Sequence, residues 1–356
     1  MAPVIHGLRQ AGLDTLVLGT AQHRELLDQM LGCFGITLDF DLDAMRPDQT
    51  PSDLVGLVVP ALSRIIAETR PALVMAQGDT VTVLGAALAA FFSRRPFAHV
   101  EAGLRSGDLR APFPEEGIRR LAATVTALHF APTDGARQAL LREGQPAGSV
   151  HVVGNTVIDA LLEMARRPDL PWPQGLPLPG PEERLILVTL HRRENFGAPL
   201  DRILRALRDL CQRFPQVRLL YPVHPNPSVR APARAILGGV PGVHLCDPLD
   251  YPSLVSVLGR CHAVFTDSGG LQEEAPALGR PVLVFRDVTE RPEAVAAGGV
   301  RLVGSDTDRF LREAARLLED DGHYRAMAVP RFPYGDGRAS QRIARIVAEH
   351  LGAAAG

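Results

Sequence analysis

Short apolar runs alternate with helix-length amphipathic segments along almost the whole chain. This rhythm restricts the fold more than any other feature. The runs "TLVLGT", "ALVMAQGD", "FAHVEAG", "HFAPT" and "VHVVGNT" fill the first half, and "RLILVTLH", "VRLLYPVH", "GVHLCDP", "HAVFTDSGG" and "RPVLVF" fill the second. Strand, helix and strand in turn predict parallel sheets covered by helices. Between the halves, residues 167–183 carry six prolines and no apolar periodicity, and read as a linker. The expected organisation is α/β. Two doubly wound domains span residues 1–166 and 184–336, with a cleft between them, and a last helix over 337–356 crosses back toward the first domain. The chain opens on "APVIHGLRQAG", a helical pattern, before its first strand. The first domain is therefore expected to lack the strand with which such a domain normally begins.

The 356 residues carry a formal net charge of −2, which argues against a nucleic-acid or membrane-surface partner. Every basic side chain is arginine; there is no lysine. A Walker-type phosphate lysine, a pyridoxal phosphate Schiff base and a lysine nucleophile are thereby excluded. Cys33, Cys211, Cys246 and Cys261 are scattered, without metal-ligand or redox spacing, and read as free thiols. No basic segment followed by an apolar run opens the chain, so no signal peptide is expected. The most apolar stretch, Val81 to Phe92, is shorter than the roughly 20 residues a membrane helix needs. A cytoplasmic location is the expectation.

The strand ends are rich in polar chemistry. "ALVMAQGDT" ends in Asp79, and "FAHVEAGLRSGD" offers His99, Glu101 and Arg105. "RAPFPEEGIRR" sets Glu115 and Glu116 at a helix start. His191, Arg192, Arg193 and Glu194 follow "LILVTL"; His224 follows "RLLYPV"; Arg286, Asp287, Glu290 and Arg291 follow "VLVF". Each alone is ordinary loop or first-turn composition. Six such ends together point to a site. In "TDSGGLQEE", Ser268, Gly269 and Gly270 at a helix start present free N–H groups suited to an anion, most naturally phosphate. A capped tight turn without a ligand fits the local pattern about as well. Neither G-x-G-x-x-G nor G-x-x-x-x-G-K occurs, so nicotinamide and ATP fingerprints are lacking. Glu274, one turn past the glycines, is placed to take two ribose hydroxyls; diphosphate and ribose together mean a nucleotide.

The ordered motifs "TAQHRELLDQ", "QGDT", "HVEAGLRSGD", "PEE", "GNTVIDAL", "HRREN", "YPVHPNP", "TDSGGLQEEAPALGRPVLVFRDVTERPEA" and "PYGDGRAS" resemble the non-hydrolysing UDP-N-acetylglucosamine 2-epimerases, from the first residues to about Ser340. The resemblance implies two Rossmann-like domains of GT-B type, a homodimer, and reversible conversion of UDP-GlcNAc to UDP-ManNAc for polysaccharide biosynthesis, with no cofactor and no metal. It implies that Ser268, Gly269 and Gly270 hold the diphosphate, Glu274 the ribose, and that His191 and Arg291 lie near the phosphates. Asp79, Glu101, Glu115 and His191 become the catalytic candidates. Gln22, His23, Arg192 and His224 correspond to the family's second, allosteric nucleotide-sugar site. Two departures stand out. The family's first strand and its arginine- and lysine-bearing loop have no counterpart here, and Leu254 stands where some relatives stack an aromatic on uracil. Three other readings share these residues: a hydrolysing epimerase that releases ManNAc, a GT-B glycosyltransferase, and a nucleotide-sugar binder without activity.

Overall fold

The computed structural model describes residues 1–20, 24–46, 49–110 and 112–354. Two units divide the chain: Met1–Leu162 with Tyr334–Gly356, and Glu163–Pro333.

The first unit holds β1 (Leu18–Gly19), β2 (Phe40–Asp41), β3 (Val74–Gln77), β4 (Phe97–Val100), β5 (Leu128–Ala131) and β6 (Val150–Val152). All pair in parallel, as the alternation of strands and helices requires. They form two ladders, β1-β2 and β3-β4-β5-β6. β4 and β5 are buried along their length, whereas the edge strand β3 is half-buried throughout. The sheet is covered on both sides, which is why these runs are apolar rather than alternating. Phe97 packs with Leu54, Val58 and Leu62 of the helix Pro51–Thr69. Ala98 and Val100 pack with Val4 and Leu8 of the helix Ala2–Gln10 and with Ile343 and Val347 of the helix Ala339–Ala354.

The last helix is fastened to this unit by a buried carboxylate. Asp159 accepts the backbone N–H groups of Ala339 (3.1 Å) and Ser340 (2.7 Å) and the Ser340 hydroxyl (2.6 Å). These groups open the helix and have no partner within it. Just before it the chain crosses another segment so closely that a Cβ on Gly335 would lie 3.0 Å from Cα of Gly154; Gly335 has φ 121°. Glycine is needed there on both counts.

The second unit holds β7 (Arg184–Thr189), β8 (Val217–Pro222), β9 (Val243–Cys246), β10 (Ala263–Thr266), β11 (Val282–Val284) and β12 (Val300–Leu302), in one parallel sheet of order β12-β11-β10-β7-β8-β9. The chain winds outward from β7 to β9, then returns to β10 on the other side of β7. This is the doubly wound order, and ligands bind beyond the carboxyl ends of the two central strands where the winding reverses. Helices follow from a clear stripe: Leu200, Ile203, Leu204, Leu207 and Leu210 of the helix Ala198–Arg213 are buried at helical spacing, with Arg202 and Arg205 exposed opposite. Phe310 packs edge-on to Phe265 (5.1 Å) and against Phe285 (4.9 Å) at the core's centre. The proline-rich stretch 167–183 lies in this unit, where Trp172 bonds the Leu176 carbonyl (3.0 Å) under the Arg260 guanidinium.

Candidate active site

At the switch point of the second unit, β7 delivers His191 and Arg192, and β10 delivers Asp267, Ser268 and Gly269. The helix after the glycines, Leu271–Ala277, has only 7 residues, so its dipole is modest. The positive charge at this turn comes instead from arginine. A Cβ on Gly269 would lie 2.6 Å from Nη1 of Arg291 and 3.3 Å from Nη2 of Arg192. Only glycine lets two guanidinia close over this backbone. Such a pair is suited to a diphosphate, which takes charge-assisted hydrogen bonds in a fixed fork. Arg291 is aimed by Glu273, whose Oε1 accepts Nε–H at 2.6 Å.

Behind the turn, Arg286 is held by Glu290 (2.7 Å) and Glu194 (2.8 Å). Although burial works the other way, the hydrogen bond from Arg286 keeps Glu290 down at about 2.

Asp267 organises the loop from β7. Its fully buried carboxylate accepts the backbone N–H groups of His191 (3.0 Å) and Arg192 (3.0 Å) and the Asn195 amide (3.0 Å). Asn195 also donates to the Phe285 carbonyl (3.3 Å), which ties the ends of β7, β10 and β11 together. The His191 ring faces His224 at 6.1 Å and 20°. Burial lowers its pKa, opposed by Asp267. His224 accepts the Asn226 N–H on Nδ1 (3.1 Å), so its own proton sits on Nε2.

His191, His224 and Ser268 open onto a cavity of about 260 Å³. His191, His224, Ser268 and Glu274 supply its polar wall, and Pro222, Pro248, Leu249 and Leu254 an apolar one. Leu254 gives this wall an aliphatic side chain and no ring. Glu274 is buried and lies against Gly270, where an added Cβ would be 3.4 Å from Oε2. Burial, and then the neighbouring Glu273, push its pKa up to about 7. A carboxylate so poised gains from a ligand that brings hydroxyl donors to it.

In the first unit Asp79 and Glu101 follow β3 and β4, and Glu115 opens the helix Glu115–Thr124. Gln77 donates to Glu101 (3.2 Å), and Glu101 has φ 64°, a strained value for a non-glycine residue and common at functional positions. Burial lowers His99 to about 4, so the ring is neutral and its Nε2–H donates to the Gly78 carbonyl (2.7 Å) beside Asp79. Asp79 is ion-paired with Arg119. Arg119 also lies 3.6 Å from Glu116, which is fully buried and accepts the Ser106 N–H (3.0 Å) and Arg120 Nε–H (3.1 Å). Glu116 therefore holds the loop after β4 in place. Glu115 differs: its buried Oε2 has no hydrogen-bond partner among the described residues.

The structure thus brings His191, Ser268, Gly269, Gly270, Glu274, Arg291, Arg192 and His224 to one switch point; in the other unit Asp79 and Glu101 follow β3 and β4, and Glu115 opens the helix Glu115–Thr124. Gln22 and His23 lie outside the described residues. Arg24, which follows them, pairs with Asp41 at the surface. The sequence reading missed Asp267, Asn195, Gln77 and Arg119. Asp267 reaches its partners across 72 to 76 residues, beyond any local spacing. Arg119 carried a faint signal, three residues beyond Glu116 on one helix face.

A two-unit parallel α/β chain whose second unit is doubly wound, with an arginine-clamped glycine turn and a carboxylate one turn beyond, belongs to the GT-B class of folds. The UDP-N-acetylglucosamine 2-epimerase family matches residues 7–348, and the chain belongs to that family. A probable UDP-N-acetylglucosamine 2-epimerase of Ralstonia solanacearum is 47% identical over 98% of this chain and 94% of its own. The UDP-N-acetylglucosamine 2-epimerase of Escherichia coli K12 is 46% identical over 96% and 93%. The crystal structure of UDP-GlcNAc 2-epimerase from Neisseria meningitidis bound to UDP-GlcNAc is 40% identical and superposes with a TM-score of 0.90 over 98% of this chain and 96% of that one.

Proposed function

We propose that this protein interconverts UDP-GlcNAc and UDP-ManNAc by inverting carbon 2 of the sugar without releasing it. The observation that carries the reading is the pair of guanidinia over Gly269 beside the buried Glu274, in a chain of this family. Carbon 2 bears an acetamido group and has no carbonyl neighbour to acidify its proton. Departure of UDP solves this. The bond from carbon 1 to the phosphate oxygen breaks with its electron pair going to UDP, a base takes the carbon 2 proton, and the carbon 1–carbon 2 double bond of a glycal forms. Return of a proton to the opposite face and of UDP to carbon 1 gives the epimer, with no net redox change.

The anion clamp is assigned to Arg291, His191 and the Ser268–Gly269–Gly270 turn, and the ribose to Glu274. Proton transfer is assigned to Asp79, Glu101 and Glu115. The ion pair on Asp79, the amide on Glu101 and the unpartnered oxygen of Glu115 give the three acids different surroundings, which supports unlike roles. The test is proton NMR of the protein with UDP-GlcNAc in heavy water. UDP-ManNAc should appear, with deuterium at carbon 2 of both sugars. Free ManNAc as the main product would instead mean hydrolysis, and transfer to an acceptor without deuterium uptake a glycosyltransferase.

A further inference from the structure

Asp267 immediately precedes the glycine turn, and its carboxylate is fully buried. Its hydrogen-bond donors are all neutral: two backbone N–H groups and the Asn195 amide. Neutral donors do not call for a full negative charge at a buried position; an amide oxygen would accept them. A buried carboxylate calls for a positive or polarisable partner. Among the described residues, the one basic side chain within 4 Å of it is His191, whose Nδ1 lies 3.4 Å from Oδ1 and which pairs with it as an ion when protonated. The relation holds in the other direction too. The His191 side chain has no other hydrogen-bond or ion-pair partner among the described residues, only the parallel face of His224. A ring that meets a carboxylate at Nδ1 keeps its proton there and turns Nε2 the other way.

We propose that Asp267 is a positioning residue for His191: it fixes the ring and its Nδ1–H tautomer so that Nε2 faces the cavity, and it steadies the imidazolium when a diphosphate lies opposite. This rests on the proposed function, in which His191 meets the diphosphate. The separation is 3.4 Å, and contacts of this kind tighten when a ligand is bound.

Nitrogen–proton correlation spectra of histidine-labelled protein without ligand test the first half directly, with the His191 signal assigned by its loss in His191→Gln. The Nδ1–H tautomer is expected; an Nε2–H tautomer overturns the proposal. The second half is read by kinetics. Asp267→Asn should lower kcat for UDP-GlcNAc epimerisation about 100-fold with KM within about threefold, because an orienting carboxylate serves the charged step more than binding. In a His191→Gln background the same change should cost no more than about threefold further. A full second 100-fold loss there would make Asp267 a structural residue and overturn its action through His191. Should Asp267→Asn fail to fold, the tautomer in the unmodified protein still decides. Should the unmodified protein not epimerise UDP-GlcNAc, the functional reading fails while the tautomer result stands.

Discussion

A methyl group at position 269 would sit 2.6 Å from Nη1 of Arg291, closer than non-bonded atoms tolerate. Gly269→Ala should therefore push the guanidinia off the turn and leave the fold intact. Loss of one charge-assisted hydrogen bond to phosphate, worth about 1.5–3 kcal/mol, predicts UDP affinity lower by roughly 10- to 100-fold. Calorimetric titration checks this; unchanged affinity would remove Arg291 from the clamp. Glu274 gives a second prediction. Its carboxyl is raised to about 7, and ribose hydroxyls must donate to the ionised form. Deprotonation favours binding, so affinity for UDP-GlcNAc, whose esterified diphosphate does not titrate here, should rise roughly five- to tenfold between pH 6 and 8. Burial lowers the His191 pKa from its ordinary 6.5, so its loss of charge opposes the trend toward the acid end. Glu274→Gln isolates the effect: the rise should vanish in that variant, and its persistence would place the titration elsewhere.

At the level of elements, the apolar runs told most of the story. "RLILVT", "VRLLYP" and "AVFT" became β7, β8 and β10 because strands buried on both faces need continuous apolar sequence. "TLVLGT" did less well: only Leu18 and Gly19 pair, since a ladder needs a neighbour in register and β2 offers just two residues. The glycine turn, His191 and Glu274 were visible as local spacing. The buried ties that aim them, from Asp267, Asn195 and Glu273, were not, because they join segments distant in sequence. Asp159 is another such tie, and it makes a prediction for one element. Asp159→Ala removes the acceptor for two backbone N–H groups and a hydroxyl at the start of the helix Ala339–Ala354. Loss of a cap with buried donors left over costs about 2–3 kcal/mol. Hydrogen exchange should show lost protection at Ile343, Ala344 and Val347, while amides of β7 and β8 in the other unit keep theirs. Equal loss in both would mean that the helix is not a local anchor of the first unit.

For the molecule as a whole, the two most strongly shifted histidines lie in one unit. His99 on β4 and His129 on β5 are register neighbours, both buried, and each is held at about 4. Burial is the main cause for both; for His129 the charge of His99 adds to it and the Gln145 side chain opposes it. A base whose folded pKa is depressed is neutral in the folded chain and takes up a proton on unfolding. The associated stability is complete above the unfolded value of 6.5, is lost as pH falls from there toward about 4, and changes no further below that. A shift of this size is worth about 3 kcal/mol per histidine, a large share of a domain's usual margin. The first unit should therefore loosen before the second on acidification. Hydrogen exchange at pH 5 and 7.5 should show protection falling in β4 and β5 well before it falls in β7 and β10. His129→Leu keeps the site apolar and removes one titrating ring, so it should flatten the dependence by about half. If both units lose protection together at pH 5, or if His129→Leu leaves the slope unchanged, the acid sensitivity does not originate in this buried pair.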